Sequence, residues 1–347
     1  MATIDADSHV IETDATWAWM DGADAKHRPL AIQTPTDPPR EFWMIEGRLR
    51  GRRGNAGKDT PRESQELTDI EARLRHMDEL GTDIQVLYPS LWTSVTFSAP
   101  EVELAICRSY NRWLGDAWQQ SNGRLPWIAV MPLMSLDRAV VEADWARNHG
   151  ACGVLSRGFE RMRHASDPYY YPLYAAASEL DMPVCFHAGI GSSELFDIFS
   201  TAPDQGNFMK FKFPVISSFH SLVFGGVPER FPDLRFGFIE VSSQWTPYVV
   251  HDIVRRMGWK GDAEKARHMT TQMLKDYRFY VACQTDDDLP EVLRYTGEDN
   301  VVMGTDYGHA DTSSELLALQ TLRETSPVSP EIVEKILDTN ARALYAL

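Results

Sequence analysis

In TIDADSHV, residues 3–10, apolar and polar side chains alternate, and Asp7 and His9 lie two positions apart. In a strand both therefore project from the same face. A carboxylate and an imidazole so placed can hold one divalent cation between them. Similar groups close several other short apolar runs. Glu12 follows the first run, His187 ends MPVCF, Glu240 ends LRFGFI, and Asp306 ends VVMGT with His309 and Asp311 close behind. Taken singly, each is an ordinary hydrogen-bonded strand end. Gathered in one partly dry pocket, all would need partners at once, and a divalent cation supplies them. Arg157, after ACGVLS, is placed to bind a substrate carboxylate in bidentate fashion. Trp92, with Trp17, Trp19 and Trp43, could form an aromatic lid over an apolar or ring substrate, or equally the small core that pins the insertion down.

The elements that must bring these residues together follow a regular rhythm. Apolar runs at 3–10, 83–90, 127–133, 151–157, 182–189, 233–241, 278–283 and 300–306 read as strands. Helical spacing appears near 68–80, 101–121, 136–149, 170–180, 207–225, 245–257, 263–276 and 287–296, with two helices after the last strand. Alternating strand and helix implies a parallel sheet with helices outside. A doubly wound sheet shares that alternation but gives no reason for polar groups at nearly every strand end. A (β/α)₈ TIM barrel does, because the carboxyl ends of all its strands build one mouth. The expectation is thus a single barrel domain over 1–347. A long lid-like insertion without regular period occupies about 13–66 and includes the basic tract GRLRGRRG at 47–54.

Composition narrows the partners. The 347 residues are 43% hydrophobic, enough for a sizeable core, and the net charge of −16 repels phosphate backbones and anionic lipid, so nucleic acid and membranes are poor partners. The start of the chain has neither a basic nor an apolar leader segment, and no run approaches a membrane span, so a soluble cytoplasmic protein acting on a small molecule is expected. Cys107, Cys152, Cys185 and Cys283 lie far apart and read as reduced, buried thiols.

Four segments carry a resemblance: D-x-D-x-H-x-x-E from Asp5 to Glu12, FHAG from Phe186 to Gly189, GGVPERFPDLRFGFIE from Gly225 to Glu240 with Trp245 and Pro247 behind it, and GTDYGH from Gly304 to His309. Together they resemble the amidohydrolase-related group that contains aminocarboxymuconate-semialdehyde decarboxylase and γ-resorcylate decarboxylase. The resemblance implies one catalytic metal, usually zinc or manganese, on Asp7, His9, His187 and Asp306, and a homo-oligomer, most simply a dimer. Two departures stand out. Glu240 occupies the place where these decarboxylases carry an acid-base His, and ACGVLSRG lacks the bridging lysine of binuclear relatives. A second cation would therefore need carboxylate bridges, with Glu12, His220 and Glu240 as further candidate ligands, and an oxygen-rich set suits manganese or iron at least as well as zinc.

The resulting expectation is a metal-dependent hydrolase or non-oxidative decarboxylase of a small organic acid, aromatic acids included. Asp306, Glu240 and His220 would be its catalytic groups, the last two handling protons, and Arg157, Trp92 and His309 would meet the substrate. His220 has a rival reading, as a helix-face residue packed against the barrel. The alternatives are a bimetallic oxygenase on the same fold and a silent subunit that holds metal for a homologous partner.

Overall fold

The apolar runs fold into eight parallel strands hydrogen-bonded in sequence order: β1 (Ile4–Val10), β2 (Ile84–Pro89), β3 (Trp127–Ala129), β4 (Ala151–Ser156), β5 (Val184–His187), β6 (Phe236–Ile239), β7 (Phe279–Cys283) and β8 (Val301–Met303). The computed structural model describes residues 1–201, 207–259, 261 and 263–347. Because the strands are covered by helices outside and by each other's side chains inside, they are buried almost throughout. The chain just beyond β8 closes the ring: Asp306 N donates to Asp7 O at 2.9 Å, and His9 N donates to Tyr307 O at 2.8 Å. A Cβ on Gly304 would collide with that of Asp7, so this crossing requires glycine. The result is a (β/α)₈ barrel.

The helices cover the barrel with their apolar faces. Ile70–Glu79 starts where Asp69 accepts a hydrogen bond from Ala72 N and turns Arg73, Leu74 and Met77 inward. Phe186, Phe236, Phe238 and Phe279 form an aromatic wall across β5, β6 and β7, against which Phe219 packs from the helix Phe213–Phe224. The chain's end enters the core: Tyr345 donates to Ala6 O at 2.7 Å and meets the Tyr88 hydroxyl at 2.9 Å. The four cysteines are free and buried. Among the described residues no helix is long and apolar enough to cross a membrane.

The insertion departs from its expected irregularity. Leu30–Gln33, Glu41–Ile45 and Arg48–Arg52 form a three-stranded antiparallel sheet. Frequent Pro, Gly and Arg obscure the two-residue period in the sequence. Trp17 and Trp43 pack edge to face at 5.7 Å and are buried, making a small core of their own, while Trp19 is largely exposed. Backbone bonds fasten the insertion to the barrel mouth, from Gly57 N to Gly308 O and from Ala310 N to Asn55 O.

One buried cation ties these parts together. Arg73 donates to Gln85 Oε1, to the carbonyls of His9 and Ser64, and to Ser8 Oγ, and its guanidinium lies 3.7 Å from the centre of the Tyr307 ring. Gln85 in turn donates to Asp5, which also accepts from Thr305 N and Thr305 Oγ1. Arg73→Met would strand four acceptors in the core, so it should lower the unfolding free energy by about 3–5 kcal/mol in denaturant titrations. Arg73→Lys, which cannot span all four, should recover less than half of that. An unchanged unfolding midpoint for the Met variant would show that these bonds do not stabilise the fold.

Candidate active site

β1 delivers Asp7 and His9 to the carboxyl end of the barrel, as its alternation requires, with a register irregularity between Asp5 and Ser8. His187 closes β5, and the two imidazoles meet with Nε2 atoms 3.1 Å apart. Asp7 Oδ1 lies 3.3 Å from His187 Nε2 and 3.5 Å from His9 Nε2. Glu240, just past β6, places Oε2 3.0 Å from His187 Nε2 and 3.9 Å from His9 Nε2. Asp7, His9, His187 and Glu240 thus converge on one point. Asp306 adjoins through His9, at 3.3 Å, and forms neighbouring clusters with His309 and with Glu240 and Asp311. Both Glu240 and Asp306 hold left-handed backbone conformations, φ 63° and 52°, which turn their side chains away from the strand direction.

The electrostatics of this cluster follow from burial. Burial raises the Glu240 carboxyl well above the usual range, and the neighbouring Asp306 and Asp7 carboxylates raise it further. Burial likewise pushes Asp306 up to about 6, although His309 pulls the other way. Burial and the charges of His309 and His187 hold His9 below its ordinary value, so its imidazole is neutral near pH 7. His309 experiences the opposite balance: burial opposes its charge, but Asp306 at 2.8 Å raises it overall.

These residues fit a divalent cation. Ligand atoms about 2.1 Å from a shared ion lie roughly 3–3.5 Å from one another, the spacing found across most of this cluster. His187 Nδ1 contacts the Ala188 carbonyl at 3.1 Å; that contact is a hydrogen bond only if Nδ1 carries the proton, and it then leaves the Nε2 lone pair facing the cluster. Glu240 Oε2 is buried and makes no hydrogen bond, the situation of an oxygen that awaits an ion. Tyr88 stacks under His187 with centroids 4.7 Å apart and fixes its ring from below.

Several expected participants are placed elsewhere. His220 lies on the outer side of the helix Phe213–Phe224, beside Phe224 and 3.5 Å from Asp252, because the helix turns Phe219 rather than its neighbour toward the barrel. It does not reach the cluster as ligand or base. Arg157 is buried and spent on Glu160 and on the carbonyls of Trp92 and Val95, so it is not free for a substrate carboxylate. Trp92 is a core residue packed on Tyr110 and Phe97 rather than a lid. Glu12 accepts from the backbone of Ser90 and Leu91 and stands outside the ligand cluster. His309 stacks on His9 at 3.8 Å, meets Ser90 Oγ at 2.7 Å, and faces the mouth.

Above the cluster a cavity of about 780 Å³ opens, lined by Glu240, His309 and Asp311 from the barrel, Asn55 from the insertion, and Phe208, Phe211 and Lys212 from the segment after β5. Sequence reasoning did not find Ser90, Asn55 or Lys212. Ser90 had a signal, since it follows the apolar run of β2; Lys212 had none, lying inside an apparently helical stretch.

Known proteins share this architecture. An amidohydrolase from Mycobacterium avium subsp. paratuberculosis superposes with a TM-score of 0.79 at 21% identity, covering 99% of each chain. A manganese-bound 5-carboxyvanillate decarboxylase from Novosphingobium aromaticivorans matches with a TM-score of 0.67 at 19% identity over 82% of each chain. A 2,6-dihydroxybenzoate decarboxylase from Rhizobium matches with a TM-score of 0.67 at 18% identity over 100% of this chain and 99% of that one. At such identities the likeness speaks for the fold. The family model described as Amidohydrolase matches residues 4–347, and the chain accordingly belongs to the amidohydrolase family.

Proposed function

We propose that this protein is a metal-dependent enzyme acting on a small organic acid by non-oxidative decarboxylation, with hydrolysis as the second reading. The observation that supports a metal-centred site most directly is the convergence of Asp7, His9, His187 and Glu240, with Asp306 adjoining, beneath a cavity of about 780 Å³. That volume lies within the range of small-molecule sites. When bound, a divalent cation polarises a substrate oxygen and acidifies coordinated water. Asp7, His9 and His187 would hold it, with Asp306 completing the set and Glu240 beside the ion as the proton carrier, and the mixed oxygen and nitrogen donors suit manganese, iron or zinc. One cation suffices for the tight cluster; Glu240, Asp306 and Asp311 would be the ligands of a second.

The protein's own groups divide the remaining work. In decarboxylation the bond from carbon to the carboxyl group breaks, carbon dioxide leaves, and the carbon that keeps the electron pair must take a proton. Glu240, raised by burial and adjacent carboxylates, is a candidate to donate that proton and regain one from water. In hydrolysis the Glu240 carboxylate would instead take a proton from attacking water and pass it to the leaving group. Decarboxylases among the structural neighbours favour the first reading. Hydrolysis stays because Glu240 stands where the decarboxylases that the sequence resembles carry His. The structural neighbours give the oxygenase alternative no support.

With a ¹³C-carboxyl-labelled aromatic or enol acid that the wild type converts, labelled carbon dioxide should appear. Glu240→Gln, loaded at saturating metal, should slow its release about 10²–10⁴-fold, and His187→Ala should lose the metal. Full turnover in the Gln variant would exclude Glu240 from proton transfer. Metal affinity should also rise with pH, because ligands must lose their protons. Asp306, held up at about 6 by burial, should release its proton on binding as the titration is carried to lower pH. Calorimetry in buffers of different ionisation enthalpy would read that release, and pH-independent binding would contradict it.

A further inference from the structure

We propose that Lys212 selects an anionic substrate, by pairing with a carboxylate on a substrate whose apolar body packs against Phe208 and Phe211. This inference rests on the small-acid reading above and assigns its recognition to a particular residue.

Among the described residues that line the cavity above the cluster, Lys212 is the single Lys or Arg. Apart from His309, its surroundings are acidic: Glu240 and Asp311 line the same cavity, Asp306 adjoins them, and the whole chain carries a net charge of −16. A carboxylate entering such a mouth is repelled unless a cation meets it there. Arg157 cannot serve, because Glu160 and two carbonyls use its donors. Lys212 is half-buried, lines the same cavity as Glu240, and has no ion-pair partner within 4 Å among the described residues.

The local backbone explains how it gets there. Phe208–Lys212 is wound in a wide turn, in which Phe213 N donates to Phe208 O. Gly189 N, two residues beyond His187, donates to Phe211 O at 3.2 Å and pins this turn to the end of β5. Lys212 is thereby fixed relative to the ligand cluster instead of riding on a free loop. Phe208, 51% exposed at the rim, and Phe211 supply the apolar surface beside it. A cavity that Lys212 shares with two phenylalanines above acidic groups accommodates an aromatic or similarly apolar carboxylate. It offers an uncharged molecule of the same shape only the packing.

Benzoate and its neutral isostere benzamide separate these contributions. Both would be titrated calorimetrically into manganese-loaded wild type, Lys212→Met and Lys212→Arg, after elemental analysis has compared their manganese contents. The wild type should prefer benzoate. Lys212→Met should weaken benzoate about tenfold while leaving benzamide within about twofold, and Lys212→Arg should keep the preference. Equal weakening of both probes would mean that Lys212 only shapes the pocket and would overturn the proposal, as would unchanged benzoate binding. Loss of manganese from the Met variant would also overturn it, by assigning Lys212 to the cluster's charge balance instead. A wild type that binds neither probe would sink the small-acid reading itself, whereas one that prefers benzoate equally in all three proteins would remove only Lys212.

Discussion

The structure depends on one costly arrangement: two imidazoles in contact, with three carboxyl groups each within hydrogen-bonding range of one of them, in a place that is almost fully buried. His9 Nε2 and His187 Nε2 are 3.1 Å apart, and Asp7, Glu240 and Asp306 each bring an oxygen within 3.0–3.3 Å of one of them. Such a set does not assemble for stability. Carboxylates this close repel, and burial penalises each charge. The raised proton affinities of Glu240 and Asp306 express that conflict, and a divalent cation would relieve it. The left-handed backbone at both residues shows the same priority, because the chain accepts an unfavourable conformation to aim these two side chains inward.

A rigid frame is needed to hold groups that would otherwise separate, and the barrel provides it at two levels. Strand alternation alone sets Asp7 and His9 side by side, while β5, β6 and β8 bring the rest from distant parts of the chain. Beneath them, Asp5, Gln85, Arg73 and Thr305 form a hydrogen-bonded layer that joins β1 to β2 and to the turn after β8. Arg73 reaches the carbonyl of His9 and underlies the ring of Tyr307, so a buried cation that touches no ligand side chain still fixes the backbone on which two of them stand. Tyr88 does comparable work for His187 and is itself anchored by Tyr345 from the far end of the chain.

The sequence disclosed this arrangement unevenly, for physical reasons. All eight strands were legible because, in an alternating chain, a short apolar run that ends in polar groups fits a barrel strand better than a buried helix segment. Asp7, His9, His187, Glu240 and Asp306 were legible for the same reason, since strand ends in a barrel share one mouth. Residues whose fate depends on their neighbours' orientation were not. His220 points outward because of the phase of its helix, which Phe219 settles by taking the inward position. Arg157 is consumed by Glu160, only three residues ahead, yet nothing in the spacing says whether that carboxylate or a substrate will claim it. The strands of the insertion were hidden by the Pro, Gly and Arg between and within them, and Lys212 by a wide turn that reads as ordinary helix.

Glu240 is where strand geometry, burial and charge meet. Replacing an imidazole by a carboxylate at the end of β6 adds a negative charge to a site that already holds Asp7 and Asp306. With neutral imidazoles, Asp7 and Asp306 balance one dication, so the site turns negative whenever Glu240 has given up its proton. Positive charge must then come from nearby, and the structure places two sources at the mouth: His309, raised by Asp306 and stacked on His9, and Lys212 across the cavity. The charge that Glu240 introduces therefore constrains both the protons available for chemistry and the cations available to receive an anionic substrate, so the departure at this position and the composition of the cavity rim belong to one electrostatic design.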